Sequence, residues 1–107
     1  MQNETLQEVK QLIAKHKIIL FMKGSKLVPL CGFSNTVVQV LNNLNIEYET
    51  YDVLQDFEIR QVIKTYSQWP TIPQLYVNEQ FIGGSDIVLD LYKTGELQTL
   101  LEVTLAN

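Results

Sequence analysis

The chain has 107 residues, of which 46% are hydrophobic and 19% charged, and it contains a single cysteine. These values predict one domain, over residues 1–107, with a hydrophobic core of ordinary size. Eight basic and twelve acidic side chains give a net charge of −4, which argues against nucleic acid as the main partner. The longest apolar run, residues 18–22, is far too short to cross a bilayer, so we expect no membrane association.

The start of the chain carries no sign of a secretion signal, because residues 2–4 are polar and no apolar segment of suitable length follows. We therefore expect a cytoplasmic protein of bacterial type, although the trimmed form of a plastid or mitochondrial precursor would have the same sequence. Five lysines but only two acids lie in residues 1–30. This excess predicts either a solvated basic surface or a local positive field that attracts an anionic thiol ligand.

Hydrophobic periodicity in the first half of the chain predicts two helices and two strands. Apolar residues recur at helical spacing between 6 and 13, and residues 5–8 match a capping box at the start of this helix. Residues 17–22 predict a strand that is buried on both faces and therefore central and parallel. A second helix is expected to end near residue 44, and the alternation over 46–51 predicts a half-buried strand.

The second half continues with a helix, a hairpin and two more helices. Residues 56–66 predict an amphipathic helix, whose candidate core residues are Phe57, Ile59, Val62, Ile63 and Tyr66. Short strands at 74–77 and 80–82 flank a two-residue turn at 78–79. A helix that begins at residues 85–86 is expected to stop at Gly95, and a last short helix follows.

The predicted order of elements is α-β-α-β-α-β-β-α-α. The early β-α-β unit requires parallel strands with a right-handed crossover, and the later hairpin adds antiparallel strands. The sequence therefore predicts an α/β fold of thioredoxin-like layout, in which helices cover both faces of a small, mixed, four-stranded sheet.

Cys31 is expected at a junction between a strand, a loop and a helix, beside Lys23. The N-terminal end of a helix carries partial positive charge and free N–H donors. Such positions lower the pKa of a cysteine from about 8.5 to roughly 3.5–7.5. This setting predicts a reactive or metal-ligating thiolate, and the alternative is a buried inert thiol. Since no second cysteine exists, an intramolecular disulfide is excluded and redox or cluster chemistry must take sulfur from outside the chain.

Four separated pieces of the chain are expected to meet on one side of such a sheet, because all lie at the ends of strands or helices. They are Lys23 with Cys31, Arg60 on its helix, the segment 69–73 and the segment 83–86. Each piece alone has a plainer explanation: a solvated charge for Arg60, a rigid turn at 69–73, and a hairpin exit with a helix cap at 83–86.

In combination and order, these motifs resemble those of the monothiol glutaredoxins of the CGFS type. The matching segments are Lys-Gly-Ser at 23–25, Cys-Gly-Phe-Ser at 31–34, Trp-Pro-Thr-Ile-Pro-Gln at 69–74 and Gly-Gly-Ser-Asp at 83–86. The match extends over essentially the whole chain. It implies a single glutaredoxin domain with a thioredoxin fold and a cis peptide bond between Ile72 and Pro73.

The resemblance implies a glutathione site. Glutathione would lie across Thr71 and Ile72 and pair with the backbone of Ile72 like an added strand. Its glycyl carboxylate would meet Lys23 and Arg60. Its γ-glutamyl carboxylate would accept N–H bonds from Ser85 and Asp86, and the Asp86 side chain would meet the ammonium group. The full set of cofactor-binding residues carried over is Lys23, Cys31, Phe33, Arg60, Thr71, Ile72, Pro73, Gly84, Ser85 and Asp86.

The resemblance also implies a [2Fe–2S] cluster that bridges two subunits. Such a centre needs four thiolates, and two chains with two bound glutathiones supply them. Cys31 would be the metal ligand, and Lys23 would help to keep it ionised. The protein would then be a homodimer when it carries the cluster, and it would deliver clusters to apo iron–sulfur proteins or cluster-assembly proteins.

Two other functions remain open from the sequence. The first is a glutathione-dependent thiol-disulfide oxidoreductase, in which Cys31 attacks a mixed disulfide by a monothiol route. The resemblance implies that this redox-active centre would be at most weakly active on standard small disulfides. The second is a thioredoxin-like adaptor with an idle cysteine, which would leave the arrangement of Lys23, Arg60 and Asp86 unexplained.

The chain departs from the family pattern at three positions. Lys26 stands where a proline usually follows the Gly-Ser pair, and Leu30 stands where a polar residue is common. Both changes fall in the loop before Cys31 and imply a different loop stiffness and cluster lability. Ser85 stands where many members have a second cysteine, so a dithiol mechanism is not expected.

Overall fold

Helices and strands follow one another in the predicted order in residues 2–106, the part of the chain that the computed structural model describes. The structure contains one further element that was not predicted, a short 3₁₀ turn, Val53–Gln55. Among the described helices, none has the length and hydrophobicity needed to cross a membrane. The elements are α1 (Gln2–Lys15), β1 (Ile18–Met22), α2 (Gly32–Asn43), β2 (Glu49–Asp52), α3 (Phe57–Ser67), β3 (Gln74–Val77), β4 (Gln80–Gly83), α4 (Ser85–Thr94) and α5 (Glu96–Ala106).

The four strands form one mixed sheet in the order β2-β1-β3-β4. β1 pairs in parallel with β2, where Met22 lies opposite Asp52, and antiparallel with β3, where Phe21 lies opposite Gln74. β3 and β4 form the predicted antiparallel hairpin. The prediction that β1 is central is confirmed, but β1 is parallel on one side only, because the hairpin returns the chain to its other side.

The alternating side chains of β1 divide the core into two layers. Ile18, Leu20 and Met22 pack with buried residues of α2, α4 and α5. Ile19 and Phe21 pack on the opposite face with buried residues of α1 and α3. Every residue of β1 is therefore buried, and helices cover both faces of the sheet, as the thioredoxin-like fold requires.

The predicted capping box at residues 5–8 is wrong. α1 begins at Gln2, so Thr5 lies inside the helix rather than at its start. The Thr5 side chain is buried, and its hydroxyl donates to Glu58 Oε2 of α3 at 2.6 Å. The hydroxyl therefore links two helices on the same face of the sheet instead of capping one of them.

Two of the candidate core residues of α3 are exposed. Ile59, Val62 and Ile63 are buried as predicted, but Phe57 retains 71% of its accessible surface and Tyr66 retains 38%. Phe57 is the first residue of the helix, directly after the Asp56 cap. At 100° per residue it points away from the stripe that the other three form.

β2 begins at Glu49, three residues later than predicted. Its register with β1 starts at the pair Ile19 and Glu49. The preceding Tyr48 is buried against the α2 side of the sheet, and its hydroxyl donates to Asn42 Oδ1 at 3.0 Å. The alternation over 46–51 thus mixes a strand with a connecting segment that packs into the core.

Candidate functional site

Strand direction brings the predicted site segments to one edge of the sheet. β1 and β2 are parallel, so both end at this edge, and Lys23 follows β1 directly. β3 is antiparallel to β1 and begins there, after the segment 71–73. β4 runs back to the same edge, where Gly84 leads into α4. Strand direction therefore brings three of the four predicted segments together, and Arg60 of α3 lines the same space.

That space is a cleft of about 400 Å³. All predicted cofactor-binding residues except Gly84 contribute to its walls, and Lys64 and Pro70 are additional. The lining residues are Lys23, Cys31, Phe33, Arg60, Lys64, Pro70, Thr71, Ile72, Pro73, Ser85 and Asp86.

Gly84 has a structural place beside the cleft rather than in its wall. It is buried and occupies the cap position before α4. A Cβ atom at this position would lie 3.3 Å from both the Pro73 carbonyl oxygen and the Trp69 Nε1 atom. The absent side chain thus lets the start of α4 approach the loop that precedes β3.

Lys64 was not among the residues predicted for the site. It lies one turn after Arg60 on α3, and both side chains face the cleft. The i, i+4 spacing was visible in the sequence and put the two cations on one face of the helix. The sequence did not show that the loop before β3 would come close enough to make that face a cleft wall.

Cys31 is the N-cap residue of α2, with extended backbone angles (φ −152°, ψ 136°), and it is partly exposed. Burial by itself would raise the pKa of its thiol. Burial is the largest single effect, but the backbone N–H groups of Ser34 and Phe33, the charge of Lys23 and the Ser34 hydroxyl together outweigh it. The pKa of Cys31 therefore lies below its ordinary value, as the position at a helix start predicts.

Ser34 joins the cysteine to the end of β1. It is completely buried, and its Oγ accepts a hydrogen bond from the backbone N–H of Lys23 at 3.1 Å. Its hydroxyl also lowers the pKa of Cys31. The sequence marked Ser34 only as part of a motif, and its linking role depends on a contact between residues 11 positions apart.

The loop between β1 and Cys31 is closed by hydrogen bonds. The N–H of Leu30 donates to the Lys23 carbonyl at 2.9 Å, and the N–H of Gly24 donates to Asp52 Oδ1 at 2.9 Å. Lys26 lies over the ring of Tyr48, with Nζ 4.2 Å from the ring centroid, and donates to the Tyr48 carbonyl. Lys26 thus connects the loop to the segment before β2.

A buried glutamine stabilises the loop before β3 through hydrogen bonds to its backbone. Gln74 is fully buried, and its amide nitrogen donates to the carbonyl oxygens of Trp69 at 3.1 Å and Thr71 at 3.2 Å. Its Oε1 accepts a hydrogen bond from the Tyr76 hydroxyl at 3.1 Å. The Ile72–Pro73 peptide bond is cis, as the resemblance implies. Gln74 therefore positions the loop, a role that the sequence did not reveal.

Charge is distributed unequally along the cleft. Lys23, Arg60 and Lys64 line it, and the acidic side chain is Asp86, in the first turn of α4. The Nε atom of Arg60 is buried and has no hydrogen-bond partner among the described residues. Such a cleft can bind a small molecule that carries a carboxylate near α3 and both an anionic and a cationic group near α4.

Within residues 2–106, no group of three or more His, Cys, Asp or Glu side chains is arranged to hold a metal ion. Cys31 is the one thiol in the sequence.

Comparison with known proteins gives three findings. A family model described as glutaredoxin matches residues 18–82. An uncharacterized monothiol glutaredoxin of Synechocystis sp. is 61% identical over 107 residues, all of both chains, and the chloroplastic monothiol glutaredoxin S14 of Arabidopsis thaliana is 48% identical over 92% of this chain and 57% of its own. The solution structure of reduced poplar apo GrxS14 has a TM-score of 0.82 and 46% identity, and the match covers 94% of this chain and 93% of that one.

Proposed function

This chain belongs to the glutaredoxin family, among its monothiol members, and from this premise we propose that it binds glutathione and carries a [2Fe–2S] cluster between two subunits. The observation that carries the proposal is one cleft that joins a partly exposed cysteine of lowered pKa to cations on one side and to an acid at a helix start on the other.

The charges of the cleft match those of glutathione. This tripeptide has two carboxylates, one ammonium group and one thiol. Lys23 and Arg60, with Lys64 beside them, would hold the glycyl carboxylate, and the unpartnered Arg60 Nε fits a site that is completed by a ligand. The free N–H groups at the start of α4 would hold the γ-glutamyl carboxylate, and Asp86 would hold the ammonium group.

The position of the thiol follows from these contacts. With its two ends held by α3 and α4, glutathione would run past Thr71 and Ile72, and Cys31 lies in the same cleft. Backbone pairing with Ile72 would align the tripeptide as an added strand. The glutathione thiol would then lie beside the Cys31 thiol, so each subunit would present two sulfur ligands together.

The cluster is the cargo, and counting sulfur atoms sets its stoichiometry. A [2Fe–2S] centre takes four ligands, and this chain supplies one cysteine. Two chains and two glutathiones complete the set. The N–H groups of Ser34 and Phe33 and the Lys23 charge, which lower the pKa of Cys31, favour the thiolate that binds iron. The carrier would release the cluster to apo iron–sulfur or cluster-assembly proteins when their thiolates replace these ligands.

A second function has one observation in its favour, which is the lowered pKa of a partly exposed thiol. The Cys31 thiolate would attack the glutathione sulfur of a mixed disulfide and release the substrate thiolate, which takes a proton from water. A second glutathione thiolate would then attack the glutathionylated Cys31, giving glutathione disulfide and the free Cys31 thiolate. We rank this oxidoreductase activity second, because the resemblance to the CGFS-type monothiol glutaredoxins favours the carrier.

We propose the cytoplasm of a bacterial-type cell or an organellar stroma as the location. The support is the similarity to a protein of Synechocystis sp. and to chloroplastic proteins of Arabidopsis thaliana and rice. Each of these compartments holds thiols in the reduced state that the proposed chemistry needs.

Anaerobic reconstitution with iron and sulfide, with and without glutathione, tests the proposal. We expect visible charge-transfer absorption and a dimeric species only when glutathione is present. Cys31→Ser should abolish both, whereas Asn35→Ser, which introduces the same residue four positions along at an exposed site, should leave both unchanged. Assembly of the same cluster by Cys31→Ser would refute the carrier function, and rapid turnover of a glutathione mixed disulfide by the apo protein would favour the oxidoreductase.

A further inference from the structure

Apolar side chains are strongly exposed in the loop that precedes Cys31. Leu27 retains 93% of its accessible surface, Val28 61% and Leu30 62%. We call these three residues the apolar rim. Large apolar side chains that are exposed together often mark a site of interaction with another molecule. Phe33, 64% exposed on the other side of Cys31, lines the cleft and is not counted in the rim.

The apolar rim lies on a fixed loop. The N–H of Ser25 donates to the Val28 carbonyl at 3.1 Å, and the N–H of Val28 donates to Ser25 Oγ at 3.1 Å. Lys26 is tied to Tyr48 by its cation–π contact and by a hydrogen bond to the carbonyl. These contacts restrain the loop backbone, so little backbone entropy remains to be lost when a partner covers the rim.

We propose that the apolar rim packs against a second copy of this chain when two subunits share a cluster, an inference that rests on the proposed function. Leu30 is bonded directly to Cys31, and the rest of the rim is within four residues of it. A cluster held by Cys31 of both subunits brings the second chain to this end of α2. The rim is therefore continuous with the proposed cluster site, and the second chain would cover it.

The small size of this surface explains why a cluster would be needed. Three side chains can bury only a few hundred Å² in each subunit, less than the roughly 800 Å² per partner of a stable interface. The shared cluster would supply the attraction that the small apolar surface lacks, so the rim strengthens a dimer that it cannot form alone.

The double variant Leu27→Ser/Val28→Ser tests the rim without touching the cleft. Both side chains are exposed and absent from the core, so the apo protein should keep its melting temperature, its glutathione affinity and the pKa of Cys31. After anaerobic reconstitution with iron, sulfide and glutathione, we expect the dimer to dissociate at about tenfold higher protein concentration than the wild type. Leu105→Ser, which removes an apolar side chain that is 43% exposed on α5, should leave the midpoint unchanged.

Hydroxyl-radical labelling of the Leu27 and Val28 side chains gives a second readout on the unmodified protein. The rim should be labelled less in the reconstituted dimer than in the apo protein. Either of two results would overturn the rim while leaving the carrier function intact. One is a double variant that dimerises like the wild type. The other is equal labelling of Leu27 and Val28 in the apo form and the reconstituted dimer of the unmodified protein. The same holds if the double variant dimerises normally but transfers clusters poorly to an apo ferredoxin, because the rim would then contact the recipient. A wild-type protein that forms no glutathione-dependent dimer would refute both proposals.

Discussion

The acidity of Cys31 results from several neighbours that act against one unfavourable effect. Burial raises the pKa of the thiol, and the N–H groups of Ser34 and Phe33, the charge of Lys23 and the Ser34 hydroxyl lower it further than burial raises it. Most of this stabilisation comes from backbone groups that a side-chain substitution cannot remove. The cysteine should therefore stay acidic in most single variants of the site, and changes in pKa should be graded.

Ser34→Ala removes the hydroxyl that favours the thiolate. We expect the pKa of Cys31 to rise while staying below that of a free thiol, because the backbone N–H groups remain. The pH dependence of the rate of iodoacetamide alkylation measures this pKa. The variant should also lose about 1–3 kcal/mol of stability, since the Lys23 N–H that donates to Ser34 Oγ is left without its acceptor.

Thr36→Ala is the matched control, because its hydroxyl donates to the Gly32 carbonyl within the same helix and not to the cysteine. An unchanged alkylation profile in Ser34→Ala would show that the hydroxyl does not contribute to the acidity of Cys31.

The lowered pKa also sets a sign for the dependence of stability on pH. Because the folded pKa of Cys31 is below the unfolded one, ionisation of this thiol stabilises the fold fully above the unfolded value, which is about 8.5. That contribution is lost as the pH falls through the folded value. The free energy of unfolding, measured by urea titration at several pH values over this range, should depend differently on pH in wild type and Cys31→Ser. The wild type should gain stability relative to the variant as the pH rises. Parallel curves would contradict the lowered pKa.

Arg60 and Asp86 line the cleft and carry opposite charges. Arg60→Ala and Asp86→Asn should each raise the dissociation constant of glutathione about 10- to 100-fold, the cost of losing one charge-assisted hydrogen bond of roughly 1.5–3 kcal/mol. Isothermal titration of the apo protein measures it. Lys15→Ala, which removes an exposed cation at the end of α1, should leave the dissociation constant unchanged. Unaltered binding in both cleft variants would mean that glutathione does not bind there.

At the scale of elements, the loop after β1 depends on a glycine. Gly24 has φ = +91°, and a Cβ atom there would lie 2.4 Å from the Val28 carbonyl oxygen and 2.7 Å from the Leu30 nitrogen. Both are backbone atoms of the same closed loop, so neither can move aside alone. This position thus combines a backbone conformation that side chains disfavour with a close approach of the chain to itself.

Gly24→Ala should lower the free energy of unfolding by about 2–4 kcal/mol, from the strained φ angle and the steric overlap together. Gly32→Ala is the matched control in the same region, because a Cβ there meets no atom within 4 Å and alanine favours a helix. Urea denaturation measures both variants. If Gly24→Ala and Gly32→Ala were equally stable, the loop would readjust without cost. The hydrogen bonds that close the loop would then not be what positions Cys31.

The elements that the sequence predicted best are those whose burial pattern has a single explanation. β1, with its five apolar residues, could be predicted from the local sequence alone. The same holds for the turn at Asn78 and Glu79, two residues that both have positive φ. Phe57 was misassigned on its hydrophobicity alone, although at 100° per residue it lies away from the stripe of Ile59, Val62 and Ile63. Thr5 was misassigned because its partner, Glu58, lies 53 residues away. Contacts at that separation depend on tertiary packing, which periodicity cannot show.

The site shows the same division. Its motif residues were predicted as a group, and the parallel and antiparallel strand order explains why three of the four segments meet at one edge, where Arg60 of α3 joins them. Lys64 and Gln74 were not predicted as site residues. Lys64 lies one turn after Arg60 on α3, and Gln74 is the first residue of β3. Their roles depend on the distance between α3 and the loop before β3, and on the carbonyl oxygens that the buried amide of Gln74 reaches.

At the scale of the whole molecule, the proposed function requires more than one chain. The fold puts one acidic thiol at the mouth of a charged cleft, and the sequence has no second thiol. The thiol of a bound glutathione would double the sulfur at each site, and a second subunit would double it again. Cluster binding and dimerisation should therefore rise and fall together, and both should require bound glutathione, which each chain can bind on its own.

Native mass spectrometry of the protein, reconstituted anaerobically with iron, sulfide and glutathione, tests this coupling most directly. The predicted species contains two chains, two glutathiones, two iron ions and two sulfides, and the complex should separate into monomers when glutathione is removed. A cluster held by a single chain, or by two chains without glutathione, would contradict the shared site.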